Sequence, residues 1–397
     1  MLVKKYVDML QQKSVIRTLA EFAAARGKEI GYENVFDYSL GNPSVAVPEE
    51  FNETCITLLR EMEPMQLHGY SQSLGIPEVR QKVAESLNRR FSMNYKADHI
   101  FMASGAAGAL SHAFRLVAQE GDEIITFAPF FPEYNPYVNL TGARLKVVPP
   151  RTEDFQINFE AFEEMITEKT KAVLVNTPNN PSGIVYSEET LKKLAKILEE
   201  KSKEYGDTIY LISDEPYREI IFDQQKAPYV SHYYDHTISC YSFSKSLSIP
   251  GERIGYVAVN PSCKDAEKMI VMCGQISRGI GHNCPASLIQ LAVAENLDRT
   301  ADLGVYETNM NLLYDELKSL GFTCVRPGGT FYIFPKALEE DAAAFCDKAL
   351  KYDLILVPAD SFGCPGYFRM AYCIDTDKVK RSLPALRKFV ETEYPNR

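Results

Sequence analysis

Short apolar runs alternate with amphipathic stretches through the middle of the chain. DEIITFA (Asp122–Ala128), KAVLVN (Lys171–Asn176), TIYLISD (Thr208–Asp214), TISCYSF (Thr237–Phe243) and RIGYVAVN (Arg253–Asn260) are each flanked by polar or turn residues. That pattern predicts buried strands. Between two of them, SEETLKKLAKILEEKSKEYG has helical periodicity. Ser187 is placed to cap this helix, Glu188 and Glu189 suit its first turn, and Gly206 closes it. Leu191, Leu194 and Leu198 form its one apolar stripe. Repeated strand–helix–strand units predict an α/β fold whose mostly parallel sheet is covered by helices on both faces.

The last third reads differently. From about Thr300 a long helical pattern leads into GFTCVRPGGTFYIFPK, then LILVPAD and FRMAYC, which together predict a smaller α+β unit. No composition shift or linker marks the junction, so the pattern places it only between Leu291 and Asn311.

Composition adds mainly exclusions. The 397 residues are 45% hydrophobic, enough for one large core and a second smaller one. A formal net charge of −10 argues against binding nucleic acid or an anionic membrane, since both reward a basic face. The opening MLVKKYVDMLQQKSV has neither a continuous apolar segment nor a small-residue cleavage site, so it does not read as a signal peptide. No apolar run approaches the length of a membrane span. Nine scattered cysteines, without CxxC pairs or Cys/His ligand spacing, predict reduced thiols in a cytoplasmic protein and no metal site.

In open parallel sheets ligands sit beyond the carboxyl ends of the strands, so the residues that follow each strand matter most. After HIFMAS come the small residues GAAGAL, after AVLVN comes TPNNPSG, after TIYLIS comes DEPY, and after TISCYSFS comes Lys245. Each has an ordinary alternative. Small residues at a helix start also serve close packing, Asp214 also suits a helix cap, and a single lysine is usually solvated. Small residues there would let helix N–H groups approach a phosphate. A carboxylate behind an apolar run needs a partner. A desolvated lysine has a lowered pKa and can form a Schiff base.

These residues also carry a family resemblance. SFSK followed by GERIGY resembles the lysine motif of class I and II aminotransferases, enzymes of pyridoxal-phosphate fold type I. Similar signatures occur at YSLGNPS, GYSQSLGIPEVR, SGAAGAL, APFFPEY, NTPNNPSG, SDEPY, RPGGTFYIF and FRMAYC, in family order from about residue 38 to 373. The resemblance implies a large domain with a seven-stranded sheet over 47–295. It also implies a small domain made of 1–46 and 296–397.

It further implies pyridoxal 5′-phosphate as cofactor, held through a Schiff base to Lys245. Ser104, Gly105, Ala106, Ala107, Ser242, Ser244 and Arg253 would surround its phosphate. Asp214 would pair with the pyridinium nitrogen, Asn180 and Tyr217 would donate to the phenolic oxygen, and Phe131 would stack on the ring unless it is ordinary core. Tyr70 matches a tyrosine that reaches the neighbouring subunit's phosphate, which implies a homodimer with shared sites. Arg369, helped by Gly41 and Asn180, would grip the substrate α-carboxylate. Lys245 would then act as general base in ping-pong transamination between an amino acid and a 2-oxo acid.

Arg278 falls where dicarboxylate-specific members carry an arginine from the partner subunit, which favours aspartate, with glutamate and 2-oxoglutarate as the other pair. The surrounding GIGH departs from the family's usual residues, and Ala107 replaces a lysine found in some aspartate-using relatives. Two rivals share the motifs: another enzyme of the same fold, a C–S β-lyase or a decarboxylase, and a cofactor-binding regulatory protein. The second lacks room for a DNA-binding domain before residue 38.

Overall fold

The structure, a computed structural model, describes residues 2–11, 15–223 and 226–395. The parts of the predicted N-terminal segment and domain ranges that fall on residues 1, 12–14, 224, 225, 396 and 397 lie outside the described residues. The strands, in chain order, are β1 (Phe36–Asp37), β2 (Ile100–Ala103), β3 (Glu123–Phe127), β4 (Arg144–Val148), β5 (Thr170–Asn176) and β6 (Tyr210–Asp214). They continue with β7 (Thr237–Ser242), β8 (Gly255–Val259), β9 (Tyr332–Ile333), β10 (Leu354–Ile355), β11 (Val357–Pro358) and β12 (Phe368–Ala371). The helices that matter here are α1 (Lys4–Gln11), α2 (Val15–Ile30), α3 (Gly105–Val117), α4 (Glu188–Tyr205) and α5 (Ala266–Ile280).

The main sheet has seven strands in the order β2-β8-β7-β6-β5-β3-β4. All run parallel except β8, which pairs antiparallel with both β2 and β7. Successive residues feed opposite faces. Ile124, Leu174, Ile212, Ile238 and Val257 pack with Leu110 and Phe114 of α3 on one side. Ile125, Val173, Val175 and Leu211 pack with Leu191, Leu194 and Leu198 of α4 on the other. A sheet covered on both faces needs such near-continuous apolar strands. The predicted ends of α4 hold, because Ser187 accepts from Thr190 N and Gly206 adopts a left-handed φ of 67°.

The remaining strands form a three-stranded antiparallel sheet, β11-β12-β9, and a parallel pair, β1-β10. The pair ties the N-terminal segment to the C-terminal third. Tyr38 is buried in the C-terminal core, where its hydroxyl lies 2.5 Å from Ser382 Oγ. Arg26 Nε of α2 bonds Asp353 Oδ1 at 2.7 Å. Among the described residues no helix is long and apolar enough to cross a membrane. All nine cysteines are free, and the described residues contain no His/Cys/Asp/Glu group fit for a metal ion.

Candidate active site

The antiparallel turn of β8 explains why a lysine and an arginine eight positions apart come together. β7 ends at Ser242, the chain reverses through 243–254, and Gly255 pairs back onto Ser242. Lys245, on the helical turn Phe243–Ser246, and Arg253 therefore both sit at the carboxyl edge of the sheet. The start of α3 reaches the same edge from β2. Gly255 lets these layers close, since a Cβ there would lie 2.1 Å from Tyr241 O and 3.2 Å from the Gly105 backbone.

A cleft of about 320 Å³ opens at this edge. It is lined by Gly41, Ala106, Ala107, Phe131, Asn180, Asp214, Tyr217, Ser242, Ser244, Lys245, Arg253 and Arg369, each named by the sequence. Ser104 stands at the N-cap of α3 without bonding that helix through its side chain. Gly105 has φ +70°, and a Cβ there would meet Arg253 Nη2 at 3.1 Å. Arginine, α3 amides and the Ser242 and Ser244 hydroxyls thus border one corner. The chemistry of that corner suits a phosphate, which takes charge-assisted bonds from guanidinium and helix N–H donors.

Asp214 ends β6 and is 4% exposed. Its Oδ2 accepts from the Tyr134 hydroxyl at 2.5 Å and from Asn176 Nδ2 at 3.4 Å, while its buried Oδ1 has no partner among the described residues. Burial raises its carboxyl to about 7, against the pull of the Tyr134 bond and with the help of Glu215. A buried carboxylate oxygen aimed at nothing is costly unless a cation meets it.

Lys245 Nζ donates to Gly41 O at 2.7 Å and lies 5.4 Å from the Phe331 ring centre. Burial brings its amine down to about 8; Cys373 opposes that fall, and the Arg253 and Arg369 charges add to it. Arg369, on β12, is 2% exposed. One guanidinium NH₂ donates to Asn180 Oδ1 at 3.2 Å and the other to Ser39 O at 2.5 Å, while Nε is buried without a partner among the described residues. Tyr217 is buried and its hydroxyl lies 3.1 Å from Tyr332 Oη. Phe131 packs edge-on to Tyr134, with ring centres 5.6 Å apart.

Two named residues lie elsewhere. Tyr70 is fully exposed and, with the exposed Arg278 at the end of α5, lines a separate groove of about 880 Å³. Neither enters the cleft of its own chain. Conversely, Ile16, Leu110, Tyr137, Asn176, Pro250 and Tyr332 line the cleft without having been named, and Tyr134 supports it from behind. Asn176 was legible in principle: it ends β5 directly opposite Asp214 in the β5–β6 register.

The arrangement offers an anion corner, an unpartnered carboxylate oxygen, a low-pKa amine and a buried arginine with a free donor. It suits a flat group with an anionic arm and a protonated nitrogen, together with a carboxylate substrate. Comparison with known proteins gives the family. The profile for aminotransferase class I and II matches residues 33–386. An amino transferase from Eubacterium rectale superposes with a TM-score of 0.96 at 46% identity, over 99% of this chain and 100% of that one. A probable aspartate/prephenate aminotransferase from Aquifex aeolicus is 30% identical over 97% of this chain and 98% of its own length. A probable N-acetyl-LL-diaminopimelate aminotransferase from Bacillus subtilis is 30% identical over 90% of each chain.

Proposed function

We propose that this chain, which belongs to the class I and II aminotransferases, binds pyridoxal phosphate at Lys245 and uses aspartate as its leading amino donor. The observation that carries the cofactor reading is the buried, unpartnered Oδ1 of Asp214 in the same cleft as Lys245. A pyridinium N–H beside Oδ1 would supply the missing partner and draw the carboxyl back to its ionised form. Arg253, Ser104 to Ala107, Ser242 and Ser244 would hold the phosphate, Asn180 and Tyr217 the phenolic oxygen, and Phe131 a ring face. When bound, the cofactor acts as an electron sink for the negative charge that develops at the substrate Cα. Adding pyridoxal phosphate to the purified protein, reducing with borohydride and mapping the product should label Lys245; labelling of any other lysine alone would contradict the assignment.

The protein's own groups then have defined tasks. Arg369, steadied by Asn180 and Ser39 O, takes the substrate α-carboxylate and so fixes the Cα–H direction. Lys245 Nζ, once free, removes the Cα proton; an amine near 8 is well matched to that work. Water would supply the oxygen of the released 2-oxo acid, the amino group would stay on the cofactor, and a second 2-oxo acid such as 2-oxoglutarate would collect it by the reverse steps. Closure over substrate by a small domain comprising 1–46 and 296–397 belongs to the same proposal.

The amine also sets a pH dependence. Capture of the aldehyde needs neutral Lys245, and its pKa lies near 8 rather than 10.5. The initial rate of cofactor binding to cofactor-free protein should therefore rise with pH through about 8 and level above it. Stopped-flow absorbance reads this directly, and a rise that continues towards 10.5 would contradict it.

For the donor, the only cations lining the cleft among the described residues are Lys245, Arg253 and Arg369, and all three already have tasks. A distal carboxylate would need a cation from outside the chain. The exposed Arg278 and Tyr70, in a groove beside exposed Val271, support a homodimer in which each subunit completes its partner's cleft. The names of the relatives, one acting on aspartate and prephenate and one on N-acetyl-LL-diaminopimelate, also support a carboxylate-bearing donor. Arg278→Ala should raise KM for aspartate by about 10- to 100-fold, as expected for a lost charged hydrogen bond, and leave alanine kinetics unchanged. Equal effects on both donors would remove Arg278 from the site.

A further inference from the structure

Tyr332 touches three of the groups assigned above. Its hydroxyl lies 3.1 Å from Tyr217 Oη, and its ring carries the Arg369 guanidinium 4.6 Å from the ring centre. That same hydroxyl fills the space that Gly41 leaves open, since a Cβ at Gly41 would fall 2.0 Å from it. Gly41 in turn accepts the Lys245 amine. The sheet explains the reach: β9 and β12 pair with Tyr332 opposite Ala371, which puts Arg369 two residues along the same face, within diagonal range.

Packing beneath Arg369 accounts for the ring, but the hydroxyl beside Gly41 also needs a bonding partner. Phenylalanine would fill the same space beneath Arg369, whereas a buried hydroxyl is costly unless it is bonded. Either hydroxyl of the pair can donate. Tyr217 has one proton, so when it donates into the cleft its oxygen is left to accept. Tyr332 is placed to fill that role. Burial pushes the Tyr332 phenol up to about 12, so it keeps its proton across the working pH range. Donors arranged in series strengthen one another in a dry site.

We propose that Tyr332 is a positioning residue whose hydroxyl donates to Tyr217 and strengthens Tyr217 as a donor to the cofactor's phenolic oxygen, while its ring holds Arg369 in place for the substrate carboxylate. This rests on the cofactor reading given above. A stronger donor at that oxygen stabilises its anion and lowers the proton affinity of the Lys245–cofactor linkage. Removing the hydroxyl therefore raises that affinity.

The test compares holoenzyme carrying Tyr332→Phe or Tyr332→Leu with wild type. Two readouts are needed: the pH midpoint of the visible absorption band without substrate, and KM for glutamate. Tyr332→Phe should raise the midpoint by about half a unit, a fraction of the worth of one hydrogen bond, and leave KM within about twofold. Tyr332→Leu should raise the midpoint similarly and also raise KM by about five- to tenfold, as expected on losing a desolvated cation–π contact. A wild-type band whose midpoint does not move in the phenylalanine variant overturns this inference alone. Unchanged KM in a folded leucine variant overturns the role of the ring. Absence of the band from wild type and variants alike would overturn the cofactor reading, and this inference with it.

Discussion

Lys245→Ala should lower kcat for every amino donor by at least about 10³-fold, because among the described residues no second amine lines the cleft. A positioned general base alone contributes about 10²–10⁴-fold, and loss of covalent capture adds to it. Arg253 and Arg369 line the same cleft, but a guanidinium stays protonated and cannot take the Cα proton. Folding should survive. Lys245 makes one side-chain hydrogen bond, to Gly41 O, and its lowered pKa places a burden on the folded state rather than supporting it. The unfolded amine titrates near 10.5 and the folded one near 8. The cost of holding that charge in the cleft is therefore complete below pH 8 and fades as the pH rises towards 10.5. The alanine variant should thus melt no lower than wild type at pH 7, both without cofactor. A variant that lost activity only by unfolding would melt well below it, and one that kept a tenth of wild-type kcat would rule Lys245 out as the base.

Asp214→Asn should carry the second largest effect, a fall of about 10²–10³-fold in kcat, the range seen when one preorganised electrostatic partner is removed. Asparagine has the shape of aspartate and can still accept from Tyr134 Oη, but it has no charge to hold a ring nitrogen protonated. Cofactor affinity should fall as well. Stability should move the other way. Burial raises this carboxyl from 3.8 to about 7, so the cofactor-free protein bears no ionisation cost below 3.8. That cost builds between the two values and is complete above 7. Without cofactor, Asp214→Asn should therefore melt higher than wild type at pH 8 and close to it near pH 4. With cofactor the order should reverse, since wild type then gains the ion pair. Equal kcat within threefold, or no dependence of the melting difference on cofactor, would contradict the assignment.

How much of this was legible in the chain depended on whether a feature was local. Every strand of the main sheet but β4 followed from the apolar runs, and the ends of α4 from Ser187 and Gly206. The motif around Lys245 and Arg253 named both ends of one turn. The antiparallel direction of β8 was not read, although Pro250 and Gly251 and the lack of an apolar stripe in 243–254 leave no crossover helix between β7 and β8. Tyr134 was missed because its partner Asp214 is eighty positions away in sequence, and no local pattern encodes that meeting. Tyr332 and Arg369 share a face only through the β9–β12 register. Ile16 reaches the cleft from α2, a helix that the sequence reading had not delineated. Tyr70 and Arg278 were named through resemblance alone, and the single chain keeps both outside its own cleft.

The central claim is amino-group transfer, and a half-reaction without added oxo acid tests it most directly. Purified holoenzyme would receive aspartate, glutamate, alanine, tyrosine and cysteine one at a time, with cofactor absorbance and released product followed together. Transamination predicts stoichiometric conversion of the cofactor from its aldehyde-derived to its amine form, with one 2-oxo acid released per site and aspartate among the fastest donors. Continued release of pyruvate from cysteine, with the original absorption band retained and no oxo acid required, would contradict it.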